Sequence, residues 1–415
     1  MKIKLLLVLL VAQFGFSQER NCATPEKMEE LSHNAKMKAI YENHERLFDA
    51  EFERLSNENP NGNHRRATLR IPVAVHYPSA SATLTESEKQ CLRNLAQNQV
   101  DILNADFNAT NSDLSIWTGN TGAFFPGVNF GAMDVVFEIA NGNHPASTGL
   151  ASGALAITFR KPFGGGPNGD WDPNWAGYLN FVVKNLSGGT LGYAYLASSP
   201  ADGAAVYIDN DAFGSGSGCT GFVPGAPYHL GRTLTHELGH YLNLKHIWGD
   251  ATCGNDNVAD TPLHNTSNGG CPPITHLSTC TGTPRELTMN YMDYTYDSCM
   301  YMLTQGQATR MQAHLNVIVS SFNQDTLLSS GDFGKNIFVI YPNPNKGIFN
   351  IQFSEIVDEY SVKIIDQAGR VVFENKYSGN SSLTQDMNFN ATAAGVYFVT
   401  IKSNDFITTK KVLIQ

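Results

Sequence analysis

The chain has 415 residues, 42% hydrophobic and 10% aromatic, which is enough apolar material for two or three packed domains and excludes a disordered or fibrous protein. Its formal net charge of -10 provides no broad basic surface, so neither nucleic acid nor an anionic membrane is an expected partner.

At the start, Lys2 and Lys4 precede a short apolar run from Leu5 to Ala12, with Gly15 and Ser17 beyond. This reads as a secretory signal peptide over residues 1–17, too short to span a bilayer. No later apolar run has transmembrane length, so the expectation is an exported protein without stable membrane insertion. In an oxidising compartment, Cys22, Cys91, Cys219, Cys253, Cys271, Cys280 and Cys299 read as disulfide formers with one left over. Residues 24–56 are charged and helical in pattern, then break at NENPNGNHRR, which closes on Arg65 and Arg66. Residues 18–66 are therefore expected to be a propeptide cut at those arginines, with a plain linker as the alternative.

From Ala67 the pattern changes. RIPVAVHY reads as a strand, and Thr85 with Glu88 forms a capping box for a helix carrying Leu92, Leu95, Ile102 and Leu103 inward. Apolar runs at MDVVFEIA, YLNFVVKNL, LGYAYLA and AAVYIDN add strands before a long helix, predicting an α/β (α+β) domain with a mixed sheet over residues 67–320. Residues 321–335 read as a linker. Alternating strands without helices then predict a small all-β sandwich over residues 336–415.

The chemistry concentrates in HELGHYLNLKH, residues 236–246. On a helix His236 and His240 share one face, with Glu237 beside them, which is the spacing a zinc ion needs. Leu234, Leu238 and Leu242 lie on the opposite side, so one face should enter the core and the other open to a cleft. His246 supplies a third imidazole if the chain reverses after His240. Asn243 stands where the long zinc-protease motif has glycine, and asparagine is the next most tolerant residue of the left-handed turn required there. Three imidazoles leave a fourth position for water, the mark of a catalytic rather than a closed zinc site. The expected reaction is peptide-bond hydrolysis by a zinc-activated water, with Glu237 as general base and then acid.

HELGHYLNLKHIWGD, CGNDNVADTP and MNYMDYTYDSCMYMLTQGQATRM together resemble the pappalysin/cytophagalysin family of metzincin zinc endopeptidases over residues 67–320. The resemblance implies a metzincin-like catalytic domain with an active-site helix. It also implies a Met-turn with Met292 beneath the zinc histidines, and Tyr294 near the metal to stabilise the tetrahedral intermediate. It pairs Cys253 with Cys280 and Cys271 with Cys299, although four cysteines alone allow three pairings. Cys91 and Cys219 are then left for a third bridge, and Cys22 is the odd one, a candidate latency switch on the zinc or an unpaired bystander. Asp256, Asp260 and Thr261 form a candidate calcium cluster, with a plain polar turn as the alternative. In some relatives an acid just before the last bracing cysteine selects basic side chains after the scissile bond. That place holds Ser298, with Asp297 beside it, which leaves a basic preference unsupported by the sequence.

YPNPNKGIFNI, DQAGRVVFE and GVYFVTIK resemble the C-terminal sorting domain of the type IX secretion system, which implies that machinery as a partner beside protein or peptide substrates. The competing class is a secreted binding or adhesion protein whose zinc site is inactive or structural. Glu237 discriminates, because a structural site needs no carboxylate beside open-coordinated zinc.

Overall fold

The computed structural model describes residues 20–58, 68–151, 153–164, 170–327, 338–353, 357, 359–367, 369–378, 382–389, 393–403 and 407–415. The expected signal peptide, Arg65, Arg66 and residues 328–335 of the expected linker lie outside them. The chain divides into two units, residues 1–327 and 328–415.

The first unit opens with helices α1 (Thr24–Ser32) and α2 (Ala35–Glu58). There follow β1 (Leu69–Tyr77), α3 (Glu86–Phe107), α4 (Leu114–Gly119), β2 (Val135–Ile139), β3 (Ile157–Phe159), β4 (Leu179–Val183), β5 (Gly192–Tyr193) and β6 (Ala205–Ile208). The helices α5 (Arg232–Tyr241) and α6 (Gln305–Ile318) come last. The sheet runs β2-β1-β4-β6-β5, with β3 also on β1. It is mixed because β5 alone pairs antiparallel, while β1, β2, β3, β4 and β6 pair in parallel. β4 and β6 are buried along their whole length, as apolar runs in a sheet covered on both faces should be. Thr85 and Glu88 form the capping box of α3, and Leu92, Leu95 and Leu103 are buried beneath it, whereas Ile102 is half-buried.

The segment before α1 is part of this sheet. Cys22 pairs in parallel with Gly192, the Ala23 amide donates to the Gly192 carbonyl (3.0 Å), and the Leu191 amide donates to the Asn21 carbonyl (2.8 Å). Residues 21–23 thus cover the edge that β5 would otherwise expose.

Disulfides join Cys91 to Cys219, Cys253 to Cys280 and Cys271 to Cys299, leaving Cys22 free and buried. The linker expectation needs correcting at its start. Phe322 and Leu327 pack in the core of the first unit, and the Thr326 carbonyl accepts from the amides of Asn141 and Gly142, so residues 321–327 belong to that unit. The polar spacing that reads as a linker is a pair of short turns folded back on the sheet.

The second unit holds β7 (Phe338–Tyr341), β8 (Ile348–Phe353), β9 (Tyr360–Asp366), β10 (Val371–Tyr377), β11 (Thr384–Asn388), β12 (Gly395–Ser403) and β13 (Ile407–Ile414). They form a four-stranded sheet, β10-β9-β12-β13, and a three-stranded sheet, β11-β8-β7, all antiparallel. Alternate residues such as Phe349, Ile351, Val362, Ile364, Val399 and Ile401 fill the core between them, the two-sheet arrangement that period-two patterning predicts. Among the described residues no helix is long and apolar enough to cross a membrane.

Candidate active site

α5 starts after Gly231, whose φ of 77° only glycine adopts freely, and stops at Tyr241. Its end is a Schellman cap. The Asn243 amide donates to the His240 carbonyl (2.9 Å), the Leu244 amide donates to the Gly239 carbonyl (2.8 Å), and Asn243 sits at φ 72°. Asparagine thus makes the left-handed turn expected of it and sends the chain back toward the helix. Every residue of α5 is buried, including the face expected to open to a cleft. The covering is supplied by the segment containing Arg20, Cys22 and Thr24.

The turn brings His246 to the pair already aligned on the helix. His240 Nε2 lies 3.2 Å from His236 Nε2 and 3.1 Å from His246 Nε2. Each Nδ1 faces an acceptor: the Tyr291 carbonyl for His236 (2.6 Å), the Leu244 carbonyl for His240 (2.7 Å) and Asp250 Oδ1 for His246 (2.5 Å). Those acceptors fix the Nδ1–H tautomer and turn the three Nε2 lone pairs inward, as partners behind metal-binding imidazoles do. Burial, then the neighbouring imidazoles, hold His236 well below its ordinary pKa and His240 down at about 3, so both keep neutral, ligating rings. Tetrahedral donors at 2.0–2.1 Å from zinc lie about 3.3 Å apart, so this donor set fits zinc. The fourth member of the cluster is Cys22 Sγ, within 4.8 Å of all three nitrogens.

Glu237 points into the same space. Cys22 Sγ donates to its Oε2 (3.3 Å), as does Thr24 Oγ1 (3.4 Å), and burial pushes its carboxyl up to about 8. A Cβ on Gly192 would stand 2.7 Å from Glu237 Cγ, so the sheet edge approaches the carboxylate this closely only because residue 192 has no side chain. Met292 is fully buried and packs against α5, where a Cβ on Gly239 would meet its Sδ at 2.5 Å. Tyr294 packs edge-on to His246 at 5.0 Å between ring centres and donates to the Cys22 carbonyl (3.4 Å).

A second buried contact lies beside the first. Arg20 donates to Asp297 Oδ1 (2.6 Å), to Thr233 Oγ1 (3.0 Å) and to the Thr295 carbonyl (3.4 Å), with its guanidinium 4.8 Å from the Tyr228 ring centre. Asp297 is fully buried, whereas Ser298 is exposed. The acid at this pocket is therefore one residue earlier than the position before Cys299. Behind α5, Arg232 bonds Asp106 and Asp113, and Thr235 donates to Asp106 (2.6 Å), fastening the active-site helix to α3 and α4. These partners went unread in the sequence because they lie more than 100 residues apart.

The candidate calcium residues separate. Thr261 Oγ1 lies 2.9 and 3.0 Å from the two oxygens of buried Asp256 and 2.8 Å from the Val258 carbonyl. Asp260 instead accepts from Thr304 Oγ1 (2.7 Å) and the Gly306 amide (2.8 Å) at the start of α6. Asp260 thus caps a helix and leaves Asp256, Val258 and Thr261 as the converging oxygens.

Residues 168–316 match the family described as pregnancy-associated plasma protein-A, and residues 339–415 match the secretion system C-terminal sorting domain. An extracellular metalloprotease of Arthroderma otae is 30% identical over 211 residues, 44% of this chain and 71% of that protein. Extracellular metalloprotease 1 of Coccidioides posadasii is 40% identical over 134 residues, 32% of this chain and 47% of that protein. The chain thus spans about half the length of the latter, as of other curated relatives that it matches. A mutant promirolysin of Tannerella forsythia is similar in structure, with a TM-score of 0.53 and 28% identity over 74% of this chain and 95% of that one.

Proposed function

The chain belongs to the pregnancy-associated plasma protein-A peptidase family and carries a C-terminal secretion sorting domain, and from that premise we propose that it is an exported zinc endopeptidase made as a latent precursor. The observation that carries the reading is the set of three inward Nε2 atoms, that of His240 lying 3.2 Å from His236 and 3.1 Å from His246, beside the buried carboxylate of Glu237. His236, His240 and His246 would hold the ion, whose chemistry when bound is to acidify water and polarise the scissile carbonyl. Glu237 takes the proton of the attacking water and returns it to the leaving amine as the C–N bond breaks. Tyr294 donates its hydroxyl to the oxygen on which negative charge develops. Met292 supports the histidines from below and does no chemistry. Chelation followed by zinc return, with fragment mapping on a peptide mixture, tests the reading. Cleavage that persists in chelator would sink the zinc mechanism, and none at all from processed protein would favour the binding-protein class.

Cys22 is read as the latency residue, since a thiolate is a strong zinc ligand and its sulfur occupies the approach to the three nitrogens. The unprocessed Cys22→Ala precursor is expected to cleave peptides at least about tenfold faster than the wild-type precursor, equivalent to about 1.4 kcal/mol of lost hold. It should remain short of the processed enzyme, because the rest of the segment still covers the cleft. An equally inactive Cys22→Ala precursor would remove the thiol from the latency mechanism.

The Asp297 pocket supports a preference for a basic side chain, with Arg20 occupying it as a substrate arginine would. By the resemblance to relatives, that side chain follows the scissile bond. Asp256, Thr261 and the Val258 carbonyl are read as a calcium site, because hard oxygen donors converge there. Calcium at a hundred times its dissociation constant should add about 2.7 kcal/mol, raising Tm by roughly 5 °C. The shift should vanish in Asp256→Asn and survive in Asp260→Asn; scanning calorimetry with zinc held constant distinguishes them.

A further inference from the structure

The segment that covers the active site is anchored a second time, on a different surface. α2 lies along α6, where Phe48, Leu55 and Ala313 form a small buried cluster with Phe52 packed against it. Arg310 of α6 places its guanidinium 4.5 Å from the Phe48 ring centre, and Asn316 donates to Glu51 (2.6 Å). Arg310 also donates through Nε to the Asn243 carbonyl (2.7 Å). Asn243 in turn donates through Nδ2 to Glu45 Oε1 (2.7 Å). The side chain that glycine would lack thus bridges the two helices, since its Oδ1 accepts from Arg310 Nη2 (3.3 Å) while its Nδ2 holds Glu45 of α2. These contacts share no residue with the plug formed by Arg20, Cys22 and Thr24, and they combine the apolar burial of Phe48 and Leu55 with polar bonds to Asn243 and Asn316.

We propose that the α6 face centred on Arg310 and Asn243 is an exosite for α2, with enough affinity of its own to retain the 20–58 segment after the chain is cut. The proposal rests on the reading of that segment as a propeptide. Cutting the connection between α2 and β1 then makes an inhibited two-chain complex, and activity appears only when the segment dissociates or is itself degraded. Two linked anchors explain why this follows. While α2 stays docked, the plug is held at high effective concentration beside the histidines, and rebinds faster than a free peptide would.

The test uses the full chain carrying Glu237→Ala, so that no self-digestion occurs, with residues 59–66 replaced by the recognition site of a narrow-specificity protease. After nicking, the retained segment is followed by size exclusion and mass spectrometry over a dilution series. The nicked chain should keep the segment, and so should the same chain with Cys22→Ala. With Phe48→Ala and Phe52→Ala the segment should leave at concentrations at least about 100-fold higher. Both phenylalanines lie in the segment, so the remaining catalytic unit is identical in sequence. If that precursor fails to fold, Asn243→Gly keeps the left-handed turn and removes the side-chain bonds to Glu45 and to Arg310, of which only the first reaches the segment, with about tenfold weaker retention expected. Retention that is unchanged by these substitutions yet lost with Cys22→Ala would overturn the exosite. Because the readout is mass, its failure is separate from a failure to cleave peptides.

Discussion

Replacing Glu237 with alanine should lower kcat/KM of the processed protein by about 10²–10⁴, the usual contribution of a positioned acid–base group, while zinc content stays at one per chain. The two halves of this expectation have different origins. Zinc retention follows from the ligand set, because His236, His240 and His246 each have an Nδ1 acceptor supplied by another residue and none leans on Glu237. The rate loss follows from position. The carboxylate is wholly buried, and its hydrogen-bond partners Cys22 and Thr24 belong to the covering segment, so removing it leaves the bonds that hold the catalytic core in place. The Tm of the processed form should accordingly fall little. Full activity in the alanine variant would sink the general-base role; loss of zinc together with activity would recast Glu237 as part of the metal-holding structure.

The histidine cluster was legible because its geometry is local. Helical periodicity aligns His236 with His240, and the backbone tolerance of asparagine at residue 243 is enough to foresee the reversal that returns His246. Met292 was singled out only through resemblance, since nothing in the residues of MNYMDY says that it will rest against Gly239. The remaining parts of the site depend on contacts across hundreds of residues. Arg20 and Asp297 are 277 positions apart, and Asn243 and Glu45 are 198 apart. No periodicity encodes such pairs. The same limit explains why α5 is amphipathic in sequence yet buried all round: the cover for its polar face comes from the beginning of the chain. It also explains Asp260, which belongs to an oxygen-rich cluster in sequence but caps α6 in space.

Asp297→Asn should convert the preference of the processed enzyme with a larger effect on substrate choice than any other single change. An arginine bound here meets one fully buried carboxylate, and breaking a buried hydrogen-bonded charge pair costs about 2–5 kcal/mol. That corresponds to a fall of roughly 30- to 5000-fold in kcat/KM for a peptide with arginine in the pocket. A matched peptide with leucine there should change by less than about threefold, because an apolar side chain does not use the charge. Asparagine is the right replacement because Asp297 Oδ2 also accepts from the Leu230 amide (2.8 Å) and the Arg232 amide (3.3 Å) at the entry to α5. The amide oxygen can keep those bonds while its nitrogen, a donor, faces the guanidinium. Thr233 and the Thr295 carbonyl still accept from arginine, so binding weakens without being abolished. The ratio of the two peptides decides the outcome. Equal losses on both would mean that Asp297 only shapes the helix entry, and undiminished cleavage of both would place arginine recognition elsewhere. In the precursor the same substitution removes the partner of Arg20, so its residual activity should rise in step with the loss of arginine preference.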